Sequence, residues 1–320
     1  MLINKKIMFN FGMMMGVIIS MSSNNWFSVW MGLELSLMCF IPIMSAKNKL
    51  NSESCIKYFI IQSLSSSIMM MGVIMMSMKS DDKLMLMLAI MLKLGMPPFH
   101  TWALSIIEGM NYYSILIFIT LMKMIPFQML SYMNTNLALF TTLGLMVGSI
   151  SGLNQNSIKK LILYSSIFNM SLIISCISSY MIWMNYFWLY FISMIMFNSI
   201  IMKMGINFIN QMMFNNYSNL TKIMCWVSLL SMGGFPPTLT FYSKFLVLKH
   251  LNSINNHIIM VMIIISSLIV MFFYMRMIFL SIMFFHDLPK WLIMIKAKFY
   301  SSMVMSLILF TTAFFNLKSF

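Results

Sequence analysis

Four ionisable residues, Glu34, Lys93, Lys123 and Lys244, lie inside long apolar stretches of this 320-residue chain. A charge at the centre of a hydrocarbon layer costs about 2.5–3.5 kcal/mol on insertion scales, so each requires a partner, a water-filled cavity or a task. Proton transfer is the chemistry that suits them. A medium of low dielectric favours a neutral amine and a nearby carboxylate favours an ammonium, so an amine held between the two changes charge when its partner moves. A row of such groups bridged by water forms a proton relay, in which displacing one charge alters the affinity of the next site. Glu34 and Lys93 read either as the coupling pair of that relay or as a fixed ion pair that sets helix packing. Lys123 and Lys244 read as relay stations, because a single acid is set against three bases at this depth.

Other polar residues are less specific. His100, in Phe99-His100-Thr101-Trp102, either extends a water path or bonds to free backbone groups. Tyr164, Ser165 and Ser166 either hold waters or hydrogen-bond between helices. His250, His257 and His286 fall in or near loops, and Glu108 near a membrane surface. Lys203 and Arg276 sit near the ends of their apolar runs, where long side chains snorkel to the interface. Cys39, Cys55, Cys176 and Cys225 are scattered singly, without CxxC pairs or ligand spacing to His. The sequence carries no Gly-rich phosphate loop, metal-ligand cluster or nucleophile triad, so no cofactor-binding or metal-binding residue is assigned.

The elements that position these charges follow from composition. The chain is 61% hydrophobic, has a mean hydropathy of +0.89 and is only 8% charged, against about 25% in soluble domains. That is an all-α polytopic membrane protein. Its net charge of +14 comes from lysines in short gaps between apolar runs rather than from a basic patch on a polar surface, which excludes a nucleic-acid partner. Runs at about 7–22, 26–44, 56–78, 84–107, 112–131, 137–154, 161–180, 183–206, 222–248, 257–280 and 300–316 are each long enough to cross ~30 Å of hydrocarbon as a helix. No alternation of the kind a membrane barrel needs persists. The opening basic residues and first apolar run read as a first span, since no small-residue cleavage site follows. Lys5, Lys6, Lys47, Lys49, Lys57, Lys159, Lys160, Lys222, Lys290, Lys296 and Lys298 fall on the N-terminal side, and Lys79, Lys83, Lys249 and Lys318 on the other. That bias puts the N-terminus on the positive side and, with eleven spans, the C-terminus opposite.

Two spans contain double prolines, Leu94-Gly95-Met96-Pro97-Pro98-Phe99 and Gly233-Gly234-Phe235-Pro236-Pro237. Pro removes a donor and clashes with the preceding turn, so both stretches break their helices at Pro97, Pro98 and Pro236, Pro237. The breaks lie five spans apart. An odd five-span unit repeated once reverses its orientation, the inverted-repeat layout of many transporters, with broken helices at the working site. The expected units are 1–132, 133–282 and a C-terminal span and tail at 283–320.

Gly32-Leu33-Glu34, Lys93-Leu94-Gly95-Met96 with Pro98-Phe99-His100 and Trp102, Lys123-Met124-Ile125-Pro126, Gly152 through Gln155 to Lys160, Tyr164-Ser165-Ser166-Ile167, and Gly233 through Pro237 with Lys244 occur in this order over roughly 30 to 250. Together they resemble the subunit 2 family of antiporter-like membrane subunits of respiratory complex I, the NADH dehydrogenase. The resemblance implies an eleven-helix antiporter-like fold and a proton half-channel carried by Glu34, Lys93, Lys123 and Lys244. It implies that NADH, FMN, iron–sulfur clusters and ubiquinone are bound by other subunits. It also implies membrane partners that include a neighbouring antiporter-like subunit, with lipids around them. The chain departs from many relatives at Asn169, where they carry His. A composition with 45 Met and a single Arg resembles that of proteins encoded in AT-rich animal mitochondrial genomes. The expected location is thus the mitochondrial inner membrane, N-terminus toward the matrix and C-terminus toward the intermembrane space. Two other functions remain open, a stand-alone cation/proton antiporter and a structural subunit that does not pump.

Overall fold

In the computed structural model, residues 2–45, 49–78, 83–133, 135, 137–214 and 219–283 are described. The expected span at 300–316, His286, and Lys47, Lys79, Lys290, Lys296, Lys298 and Lys318 lie outside them. The described residues fall into two compact units divided between Phe140 and Thr141.

The first unit begins with α1 (Leu2–Ser22) and α2 (Trp26–Met44). A Cβ on Gly16 would meet the Gly32 carbonyl oxygen at 2.9 Å, and one on Gly32 would meet that of Gly16 at 2.7 Å. Only two glycines allow the backbones this approach, the way small residues draw helices together where no water drives association. The contact fixes α2, and Glu34 with it. Next come α3 (Lys49–Ser77), α4 (Leu84–Leu94) and α5 (Thr101–Gly109), with α3 packed on both of the others. The apolar run at 112–131 is divided at Thr120 into α6 (Tyr112–Ile119) and α7 (Leu121–Tyr132). Tyr112–Tyr132 as a whole remains one stretch long and apolar enough to span a membrane, as expected from the sequence. Pro126 inside α7 cannot donate to the Met122 carbonyl and crowds it. One turn earlier, the Thr120 hydroxyl bonds back to the Leu116 carbonyl at 2.6 Å, a bond that bends helices.

The second unit contains most of α8 (Ala138–Leu153), then α9 (Ile158–Ser175) and α10 (Tyr180–Met204). A short helix, α11 (Gln211–Phe214), precedes α12 (Asn219–Gly233), α13 (Leu239–Ser253) and α14 (His257–Met283). The helix α9 is buried along nearly its whole length, with α10, α13 and α14 packed on it. Among the described residues, six helical stretches are long and apolar enough to cross a membrane by length and composition.

Arg276 is half-buried on α14. Its guanidinium donates to the carbonyls of Leu153 at 2.8 Å and Gln155 at 2.9 Å, closing the C-terminal end of α8, where helix carbonyls lack intrahelical donors. Lys203 is exposed in the last turn of α10. Lys222, counted among the loop lysines, is buried in the first turn of α12.

Candidate functional site: buried lysines at interrupted helices

The helix α4 stops at Gly95, whose φ of 67° is left-handed and costs glycine nothing. The Gly95 N–H donates to Leu92, and the Met96 N–H reaches back to the Met91 carbonyl at 3.2 Å, so the chain turns at once. Pro97 and Pro98 follow, and α5 begins after His100. Lys93 occupies the last turn of α4 and is buried. A basic residue in the last turn suits the partial negative charge of a helix C-terminus.

Lys123 sits between the Thr120 interruption and Pro126, and is 3% exposed. Lys93 and Lys123 line one small cavity of about 20 Å³ together with Ser36, Tyr58, Gln62, Phe118, Met122 and Pro126. A cavity needs only about 10–15 Å³ of this measure to hold a water, and the polar side chains around it supply hydrogen bonds. The Lys123 ammonium stands 5.6 Å from the centroid of the Phe118 ring, within cation–π range. Phe118 is held edge-on by Tyr58 at 6.1 Å and by Trp102 at 5.9 Å.

Glu34 is half-buried on α2, with Oε1 enclosed and without a hydrogen-bond partner. Its charge reaches Lys93 and Tyr58, but the carboxylate and the Lys93 ammonium make no direct ion pair. Neither Lys93 nor Lys123 hydrogen-bonds to a described residue. The first unit thus brings two of the expected relay lysines to one cavity and keeps the acid within electrostatic reach. Ser36, Tyr58, Gln62 and Phe118 were not anticipated. They are uncharged residues in apolar helices, and what identifies them is the face on which they fall.

In the second unit, α12 ends at Gly233 and the chain passes through Gly234, Pro236 and Pro237 before Thr238 begins α13. Gly234 has a φ of 81°. Lys244, 7% exposed, donates its ammonium to the Gly233 carbonyl at 2.8 Å. The same ammonium stands 5.4 Å from the Phe168 ring centroid on α9. The lysine thereby satisfies a carbonyl freed by the helix end, as buried backbone requires. Tyr164 and Ser165 are buried on α9, and the Ser165 hydroxyl donates to the Ile162 carbonyl at 2.9 Å. Asn169 accepts from the Tyr186 hydroxyl at 2.7 Å through Oδ1, while its amide donates to the Ser165 carbonyl at 2.9 Å. Both the oxygen and the nitrogen of the Asn169 amide are thus hydrogen-bonded. No cluster of three or more His, Cys, Asp or Glu suited to a metal occurs among the described residues.

The architecture is a mostly helical membrane fold of the antiporter-like type. A chain of respiratory complex I from Thermus thermophilus matches it with a TM-score of 0.83 at 18% identity, over 97% of this chain and 78% of that one. A chain of the Mrp complex from Dietzia sp. DQ12-45-1b matches with a TM-score of 0.81 at 10% identity, over 96% and 74%. The profile of the NADH:quinone oxidoreductase/Mrp antiporter transmembrane family covers residues 23–82 and 78–271. NADH-ubiquinone oxidoreductase chain 2 of Anopheles gambiae is 33% identical over 308 residues, 90% of this chain and 88% of that protein. The protein of that name from Branchiostoma lanceolatum is 32% identical over 86% and 85%. The chain belongs to the NADH:quinone oxidoreductase/Mrp antiporter family, in the branch of the NADH-ubiquinone oxidoreductase chain 2 proteins.

Proposed function

We propose that this chain is a proton-translocating membrane subunit of a mitochondrial NADH:ubiquinone oxidoreductase, with Glu34, Lys93, Lys123 and Lys244 as its relay. The observation that carries the reading is the convergence of Lys93 and Lys123 on one small cavity with room for water. Glu34 biases Lys93 through its charge without locking it, so displacement of the acid changes which of the two amines holds the proton. Lys244, bound to the Gly233 carbonyl, is the station beyond. Residue by residue, the chain binds and passes protons. Electron transfer from NADH through FMN and iron–sulfur clusters to ubiquinone belongs to other subunits.

The eleven spans, the two helices broken at Pro97-Pro98 and Pro236-Pro237, and the inverted repeats at 1–132 and 133–282 belong to this reading. So do the matrix-facing N-terminus, the neighbouring antiporter-like subunit, the surrounding lipids and the accessory roles of His100, Tyr164 and Ser165. Interruption of the helix after both Lys93 and Gly233 supports the paired breaks.

The test is Lys123→Met and Glu34→Gln in the assembled complex, with proton pumping in proteoliposomes measured beside NADH:quinone turnover. Protons per electron should fall in both variants, and an unchanged ratio with full assembly would sink the relay. The family profile, shared with Mrp antiporters, leaves a second reading, a stand-alone cation/proton antiporter of the same fold. Native-gel migration with mass spectrometry of co-purifying chains separates the two, since the subunit should travel only in a large assembly.

A further inference from the structure

Lys93 has the Glu34 charge within reach, whereas neither Lys123 nor Lys244 makes an ion pair with a described residue. The sequence holds no Asp or Glu between Glu108 and Asp287, so the described part of the second unit has no acid to offer Lys244. What each of these two lysines faces instead is the ring of a phenylalanine. The Lys123 ammonium stands 5.6 Å from the Phe118 centroid, and the Lys244 ammonium 5.4 Å from the Phe168 centroid. Both rings are buried, 2% and 0% exposed, and the attraction of a cation to the negative face of a ring is strongest where water is excluded.

The two contacts are built differently. Phe118 ends its side of the Thr120 break on α6, and Lys123 follows on α7. In a continuous helix these positions would point about 140° apart around the axis. With the interruption between them, the ring lies beneath the amine. Phe40, nearly parallel at 6.5 Å, and Tyr58 and Trp102, both edge-to-face, fix the plane of the Phe118 ring. Phe168 and Lys244 belong to separate helices, α9 and α13. A Cβ on Gly148 of α8 would lie 2.7 Å from the Phe168 nitrogen and 3.0 Å from its Cα, so glycine there lets α8 approach the backbone that carries the ring. Two unrelated local structures thus give one result, a ring face set against a buried amine that has no carboxylate.

A ring differs from an acid as a partner in two respects. It attracts an ammonium but is nearly indifferent to a neutral amine, and it has no site that can accept the proton. A carboxylate in the same place would hold the charge harder and compete for the proton. We propose, on the reading of Lys123 and Lys244 as relay stations, that Phe118 and Phe168 are positioning residues that seat the charged form of each lysine and leave its proton free to pass to the next group.

The test is made in the assembled complex, with protons per electron measured in proteoliposomes. Phe118→Leu and Phe168→Leu should each lower the ratio several-fold, while Phe118→Tyr and Phe168→Tyr, which keep the ring face, should stay near the native value. Phe197→Leu removes a buried ring that packs edge-to-face on Tyr274 rather than against a lysine, and should leave the ratio unchanged. Equal ratios in the Leu and Tyr variants, or a loss no larger than in Phe197→Leu, overturns the assignment. Where a leucine variant does not assemble, methionine, which fills irregular gaps, replaces the ring with the same readings. Apparent Tm of the complex supplies a second measurement. Phe168→Leu should lower Tm less in a Lys244→Met background than in the native one, because no ammonium is left to seat, and additive losses overturn the contact. Unchanged pumping in Lys123→Met and Lys244→Met would remove the relay reading and this assignment with it. Reduced pumping in the lysine variants beside native pumping in the leucine variants overturns the assignment alone.

Discussion

At Gly234 a methyl group would stand 2.5 Å from the Lys244 ammonium, on backbone with a φ of 81°. Gly234→Ala therefore carries a backbone cost of about 1–2 kcal/mol and also forces the lysine off the Gly233 carbonyl. Gly205 has a φ of 62° and nothing within 4 Å of its would-be Cβ, so Gly205→Ala carries the backbone cost alone. Thermal denaturation of the assembled complex should show Gly234→Ala as the less stable of the two, and pumping per electron should fall only there. Arg276→Met removes two charge-assisted hydrogen bonds to the end of α8, each worth about 1.5–3 kcal/mol, with Arg276→Lys intermediate. The steady-state amount of assembled complex reads both. The four relay candidates were legible in the sequence because ionised groups inside apolar runs are rare. Tyr58 and Gln62 were not, since an uncharged polar residue in such a helix is common and only helix rotation decides whether it meets a cavity.

Helix contacts carry the next set of consequences. Gly32→Leu would place a branched side chain where a single carbon already lies 2.7 Å from the Gly16 carbonyl oxygen. Because this contact holds α2, and α2 carries Glu34 and one wall of the Lys93–Lys123 cavity, separation of α1 from α2 should abolish assembly, seen as loss of the native-gel band. The helix ends beside Gly95 and Gly234 could be expected from adjacent glycine and proline, whose dihedral preferences are local. The one at Thr120 could not. Pro126 gave a signal for a kink, but the position of the break depends on where the preceding turn can yield, and a threonine hydroxyl that bonds to its own helix settles that locally. The role of Arg276 was hidden for a related reason, because its acceptors lie 123 and 121 residues away in the chain.

On the scale of the whole chain, apolar surface dominates. Val261, Leu268, Phe272 and Phe279 form an exposed stripe along α14, between 51% and 65% exposed. Such a stripe is stable against lipid or another membrane subunit and costly in water. Leu268→Arg should reduce the membrane-inserted complex, since a charge at mid-depth costs about 2.5–3.5 kcal/mol, and carbonate-resistant membrane fractions would show the deficit. Helical membrane class was plain from composition, because backbone in hydrocarbon must satisfy itself within helices or closed barrels. Which faces meet lipid was not, since lipid-facing and buried positions draw on the same residues.

The bond from Lys244 to the Gly233 carbonyl has a mechanical consequence. An ammonium grips a carbonyl about twice as strongly as a neutral donor does, so the tightness of the joint between α12 and α13 varies with whether that amine holds a proton. If Lys244 is the relay station proposed for it, proton arrival would stiffen that joint and proton departure would slacken it, with no separate lever between charge and shape. A force applied to either helix would, by the same reciprocity, change the amine's hold on its proton. Proton current and helix movement would then be one event seen from two sides.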